Sequence, residues 1–165
     1  MHQESTLEPV NGGETAGVLV RPPLLFLTAL LLGFAADHLV RPFTLPGDGP
    51  VHYVIAPALI VLGLGIAILG IRNFSGAGTP VPTNLPVWAL VTSGIHSRTR
   101  NPIYLGMFLL YGGIGLLTRS PWTLLLLVPV AVTMRYGVVA REEAYLERRF
   151  GEEYRAYKAR VRRWL

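Results

Sequence analysis

Residues 51–71, V-H-Y-V-I-A-P-A-L-I-V-L-G-L-G-I-A-I-L-G-I, run for 21 positions without a formally charged side chain. Coiled as an α-helix, such a stretch reaches about 32 Å, which matches a hydrocarbon core of roughly 30 Å. It reads as a transmembrane helix, and it makes lipid the main solvent for the chain around it. Toward the N-terminus, residues 22–43 form an earlier span, uncharged from Leu24 to Ala36, with Asp37, His38 and Arg41 near its far end. Toward the C-terminus, residues 102–118 and 121–140 make a third and a fourth span, joined in a tight hairpin by T-R-S-P at 118–121. The predicted fold class is all-α: a polytopic helical membrane protein with about four transmembrane helices and a C-terminal amphipathic helix at the interface.

Composition agrees, since 51% of the 165 residues are hydrophobic and 15% charged, against roughly a quarter charged in soluble domains. The absence of cysteine excludes a disulfide, a thiol nucleophile and a thiolate metal site. Residues 1–21 are polar, hold Gly12 and Gly13 and show no apolar period, so they read as a disordered cytoplasmic lead. A cleaved signal peptide is the competing reading of the first span, but three Glu against one Arg before it oppose that.

Four spans place the lead, the 72–101 connection and the 141–165 tail on one side. That face carries twelve Lys/Arg, namely Arg21, Arg72, Arg98, Arg100 and eight in the tail, whereas the other face carries Arg41 and Arg119. The positive-inside bias makes the basic face cytoplasmic and the cell inner membrane the expected location. The connection holds Gly76, Gly78, Pro80, Pro82 and Pro86 and reads as a loop, with 82–91 a candidate re-entrant segment. The basic excess belongs to a tail beside membrane spans rather than to a soluble groove with interleaved aromatics, so nucleic acid is not an expected partner.

Two clusters carry chemistry. The first, G-I-H-S-R-T-R-N-P-I-Y-L-G at 94–106, opens the third span. Asn101 as N-cap and Pro102 as first helical residue account for a helix start. Arg98 and Arg100 oppose the dipole there, and a helix N-terminus between two Arg suits a carboxylate or phosphate. The second is Glu142-Glu143, where the fourth span ends and two carboxylates need a cation or a continuing helix. Continuation is supported by Tyr145, Leu146, Phe150, Tyr154, Tyr157, Val161 and Trp164 at near-helical spacing, with Gly151 as a break. Arg135, seven residues before Glu142, would share its face about 10 Å deeper and point into a polar cavity. Scattered His2, His38, His52 and His96 show no ligand spacing, so no metal is expected. Gly106, Gly112, Gly113 and Gly115 read as helix-packing glycines.

R-N-P-I-Y-L-G at 100–106, followed by E-E-A-Y-L-E-R-R-F-G-E-E-Y-R-A-Y-K-A-R-V at 142–161, resembles the C-terminal half of the isoprenylcysteine carboxyl methyltransferases, a superfamily that includes phospholipid N-methyltransferases. The resemblance covers about residues 72–165, including G-T-P-V-P at 78–82. It implies an integral membrane S-adenosylmethionine-dependent methyltransferase acting on a lipid-attached or apolar acceptor, by carboxylate O-methylation or amine N-methylation. Carried over, His96, Arg100, Asn101, Pro102, Tyr104, Leu105, Gly106, Glu142 and Glu143 would bind the cofactor, with Glu142 also serving the reaction; Arg135, by its charge within the membrane, would anchor a carboxylate acceptor for that reaction. Asn101 stands where the eukaryotic enzymes have His. An NADPH-dependent membrane reductase of the sterol reductase type and a non-catalytic membrane subunit are the alternatives.

Overall fold

The structure, a computed structural model, describes residues 15–40, 45, 49–79, 85 and 87–165. Among these the regular structure is entirely helical. Helix α1 spans Pro22–Leu39, α2 spans Ala56–Gly76 behind a π-helical turn at Val51–Ile55, α3 spans Pro102–Leu117, and α4 spans Pro121–Thr133. A π-helical stretch, Met134–Val139, joins α4 without a break to α5, Ala140–Arg160. Three of these runs, Pro22–Leu39, Val51–Gly76 and Pro121–Arg160, are long and apolar enough to cross a membrane. The 16 residues of α3 are as apolar but reach only about 24 Å. The protein is an integral membrane protein, and residues 41–43 of the first expected span lie outside the described residues.

Which face each helix buries follows from its small residues. On α1 only Pro22, Phe26, Ala29 and Gly33 are buried, a stripe of helical period turned toward the bundle, while Leu24, Leu27, Leu31 and Leu32 face outward. Helix α2 buries Ala56, Gly63 and Gly70, seven residues apart, and lays them along α3. A Cβ on Gly106 would stand 2.5 Å from the Gly63 carbonyl oxygen, and one on Gly113 would stand 2.9 Å from the Ala56 oxygen. The two antiparallel backbones therefore approach as closely as glycine allows, which is how helices gain packing contact where lipid offers no hydrophobic contrast. Gly112, by contrast, meets only Leu127 at 3.9 Å. Helix α1 packs chiefly on α4.

A tight turn joins α3 to α4. Ser120 caps α4 by accepting the Thr123 N–H at 2.9 Å, Pro121 begins the helix, and Arg119 takes a positive φ of 56° in the turn. His52 Nδ1 lies 2.9 Å from the Leu116 carbonyl oxygen at that end.

At the opposite end three segments converge. Residues 15–21 are not a free lead: the Leu19 N–H bonds Gly137 O at 3.0 Å and Arg141 bonds Gly17 O at 3.0 Å; residues 1–14 lie outside the described residues. The connection after α2 returns over its end, with Thr79 Oγ1 accepting the N–H groups of Trp88 and Ala89 and the Asn73 amide donating to Ser93 O. The described residues between 85 and 93 form no helix; residues 82–84 and 86 of the candidate re-entrant segment lie outside the described residues. Helix α5 breaks at Gly151, φ 52° and ψ −121°, a conformation that L side chains rarely adopt, and its second half turns back over the connection. It is thus more than a surface helix: Tyr145, Tyr154 and Tyr157 from its apolar stripe are buried in the protein.

Candidate functional site

The converging segments enclose a cavity of about 530 Å³, within the range of small-molecule sites. Both sequence clusters reach it. His96, Arg100, Asn101, Pro102 and Tyr104 enter from the start of α3, and Glu142 and Glu143 from the start of α5. Pro22 and Pro23 of α1 and Leu90 and Val91 of the connection supply apolar wall.

The two glutamates differ. Glu143 is buried and held by two cations: Arg163 grips it through two bonds, Nε to Oε1 at 2.9 Å and Nη2 to Oε2 at 2.5 Å, and Arg100 Nη2 lies 3.1 Å from Oε1. Among the described residues Glu142 has no cationic partner of this kind and accepts the Tyr104 hydroxyl alone, at 2.5 Å. Burial pushes its carboxyl up to about 7, with the Tyr104 bond opposing and the Glu143 charge adding to the rise. The cavity therefore offers a carboxyl group that changes charge near neutrality.

The unpaired donors sit opposite. Among the described residues, Arg100 Nε and Nη1 are buried without a partner, and so is His96 Nε2. The Asn73 amide lies 3.4 Å from His96 Nδ1, an arrangement in which Nδ1 accepts and Nε2 carries the proton. Burial lowers the imidazole to about 4, so it is neutral near pH 7. The Tyr157 hydroxyl fixes the His96 backbone by donating to its carbonyl at 2.7 Å.

Several expectations change on inspection of the geometry. Asn101 makes no side-chain cap; its amide donates to Arg163 O at 3.0 Å and ties the C-terminal segment to the α3 start. The Arg100 N–H bonds Arg162 O at 3.0 Å and the Thr99 hydroxyl bonds Arg163 O at 3.3 Å, so the segment after α5 is strapped across the first cluster. Arg163 is the residue the sequence reading missed, because nothing in its spacing shows that a kink at Gly151 returns it to Glu143. Gly106 and Leu105 do not line the cavity, and Gly106 is a contact with α2. Arg135 does not line it either: it is exposed, with its guanidinium carbon 5.5 Å from the Tyr136 ring centroid. The cause is the π-helical stretch between Arg135 and Glu142, since one extra residue rotates the helix by about 100° and removes the shared face.

The arrangement can bind a small polar molecule carrying both an anionic and a cationic or hydroxyl group, between Arg100 and Glu142, under apolar walls. Among the described residues no cluster of His, Asp and Glu could hold a metal ion. A stretch of 27 residues is 70% identical to an uncharacterized protein of Haemophilus influenzae, covering 16% of this chain and 43% of that protein. The chain thus spans less than half the length of the curated relative it matches. No solved structure matches it. The sequence model of the phospholipid methyltransferase family matches residues 51–153, from the second span through the kinked helix and across both clusters of the cavity. This all-helical chain belongs to the phospholipid methyltransferase family.

Proposed function

We propose that this membrane methyltransferase moves the methyl group of S-adenosylmethionine to a lipid-attached or apolar acceptor at the polar end of its helical bundle. The observation that carries the proposal is the unmade hydrogen bonding of Arg100: two guanidinium nitrogens, Nε and Nη1, are buried without an acceptor among the described residues, in the cavity wall. A buried donor left unsatisfied costs about 1–3 kcal/mol, and more when charged, so a ligand carboxylate is the expected complement. The amino-acid end and ribose of S-adenosylmethionine fit this donor set. Arg100 would take its carboxylate, His96 Nε2 would donate to it or to a ribose oxygen, and Glu142 would accept from its ammonium or a ribose hydroxyl. Glu143 acts behind Arg100, holding the guanidinium in place.

Bound there, S-adenosylmethionine supplies a methyl group already activated by its sulfonium charge. The chain's own contribution is to hold the acceptor in line and keep water out, which is the role of the apolar walls from α1 and the connection. A carboxylate acceptor needs no deprotonation. An amine acceptor must lose a proton, and Glu142 is the residue poised to accept it. The excess of Lys/Arg on this end supports a cytoplasmic placement in a cell membrane. The packing of residues 15–21 against Gly137 and Arg141 supports both described ends lying on that side.

The test is calorimetric titration of S-adenosylmethionine, and separately of NADPH, into the detergent-purified chain. Saturable S-adenosylmethionine binding that weakens at least tenfold in Arg100→Ala and in Glu142→Gln is the expected result. NADPH binding in its place would move the protein to the reductases, and binding of neither would leave a non-catalytic subunit.

A further inference from the structure

Residues 161–165 leave α5 in an extended conformation at Val161, φ −118° and ψ 129°, and lie behind the cavity wall rather than in it. Donors at the start of α3 hold their carbonyls: the Arg100 N–H bonds Arg162 O, and the Thr99 hydroxyl and Asn101 amide bond Arg163 O. Trp164 adds an apolar hold, its ring edge-on to Phe108 at 5.8 Å between centroids, while Phe108 stands edge-on to Phe26 of α1 at 5.0 Å. The charges are less evenly matched. Arg163 Nε and Arg100 Nη2 meet at the same oxygen, Glu143 Oε1, at 2.9 and 3.1 Å. The Arg100 and Glu143 side chains are each 9% exposed, so water does little to screen one guanidinium from the other. The neighbouring carboxyl, Glu142, is turned to Tyr104 instead. The Arg100–Glu143–Arg163 cluster thus carries one positive charge in excess, and Arg100 presents it to the cavity through Nε and Nη1.

We propose that residues 161–165 are a latch whose hold on the site is set by a carboxylate bound to Arg100. An anion there takes up the excess charge, offsets the repulsion between the two guanidinium groups at Glu143 Oε1 and leaves Arg163 its two-bond grip on Glu143. Without it the arginines compete for that oxygen and the segment is held less firmly. Coupling of this kind is reciprocal, so the docked segment strengthens carboxylate binding by the factor by which the carboxylate strengthens docking. The inference rests on the reading of S-adenosylmethionine as the ligand of Arg100 and deepens it: the carboxylate, rather than the adenine or the sulfonium, is the group that closes the latch.

The chain has three tryptophans, so Trp88→Phe and Trp122→Phe in the full, detergent-purified protein leave Trp164 as the single reporter. Acrylamide, a neutral quencher, reads its accessibility without sensing the charges around it. The probes are S-adenosylhomocysteine and the same molecule without its carboxylate, which keeps the adenosine, the thioether and the amine. S-adenosylhomocysteine should lower the quenching of Trp164, and the carboxylate-free probe should leave it unchanged. In calorimetry Trp164→Ala should weaken S-adenosylhomocysteine about fivefold and the carboxylate-free probe hardly at all, with Trp164→Phe restoring most of the loss. Equal protection by both probes, or S-adenosylhomocysteine that binds and leaves the quenching unchanged, overturns the latch. Variants without ligand separate it from the cofactor reading. Arg100→Met removes the competing cation but keeps the backbone N–H on Arg162 O, so it should lower the quenching, and Glu143→Gln should raise it. If S-adenosylhomocysteine does not bind, the cofactor reading fails on its own; unchanged or greater quenching in Arg100→Met then overturns the latch as well, whereas a fall sustains it for another carboxylate.

Discussion

Adjacent glutamates on one helix take opposite roles because the helix turns them toward different partners. Glu143 meets Arg100 and Arg163, whereas Glu142, among the described residues, meets a tyrosine hydroxyl alone. A cation bound beside Glu142 would draw its pKa down from about 7 and release a proton. The S-adenosylmethionine binding enthalpy near pH 7 should therefore change with the ionisation enthalpy of the buffer, and in Glu142→Gln that dependence should vanish. The same shift has a stability consequence. Because the folded-state pKa is raised, ionisation opposes folding: the contribution of Glu142 is intact below its ordinary carboxylate pKa and is lost as pH rises through about 7. Glu142→Gln should accordingly gain stability over the wild type across that window, by about 3 kcal/mol at most, as followed by thermal unfolding in detergent from pH 4.5 to 8. At Arg163 the fork geometry matters as well as the charge. Arg163→Ala should weaken S-adenosylmethionine binding about tenfold by loosening the Glu143–Arg100 pair, and Arg163→Lys should restore only part of it. Equal affinities in all three proteins would show that the strap is not needed for the site.

Among the elements, α2 and α3 depend on a seam without side chains. A Cβ on Gly106 would meet backbone, Gly63 O at 2.5 Å and Ala67 N at 2.8 Å, and backbone cannot swing aside. Gly106→Ala should cost about 1–3 kcal/mol of stability in detergent unfolding, while Gly65→Ala, which meets nothing within 4 Å, should be neutral. Gly151 is the opposite case: nothing crowds a Cβ there, but its φ of 52° with ψ −121° is strained for any L side chain. Gly151→Ala should cost about 1–3 kcal/mol through the backbone alone, and it should weaken S-adenosylmethionine binding, because the kink returns Arg163 to Glu143. The π-helical stretch between α4 and α5 works by a similar principle. Its extra residue turns Arg135 outward and leaves the Gly137 carbonyl to accept the Leu19 N–H, anchoring residues 15–21 beside the cavity.

At the scale of the whole molecule, the charges are gathered at the end where the cavity opens and the other end holds the short α3–α4 turn. The chain has no cysteine, so single introduced thiols report on sidedness without background. A cysteine at Glu153 should react with a membrane-impermeant reagent only in inverted vesicles, and one at Thr118 only in right-side-out vesicles; the reverse pattern would invert the topology.

What the sequence determined by itself is the solvent and the chemistry. Uncharged runs of span length dictate helices, because only a helix or a closed barrel satisfies backbone groups in lipid, and the Arg100 and Glu142-Glu143 clusters were legible as a charge problem that each could answer for the other. The short turn at residues 118–121 was an equally local reading. What only the tertiary structure decided depends on rotation and return of the chain. One π-helical residue moved Arg135 off the face of Glu142, and one left-handed glycine brought Arg163 back to Glu143. Close packing of α2 claimed Gly106 for the bundle. A spacing rule assumes an unbroken helix of 3.6 residues per turn, so it fails where the backbone departs from that period, and here the departure at Gly151 brings Tyr154 and Tyr157 to the cavity wall.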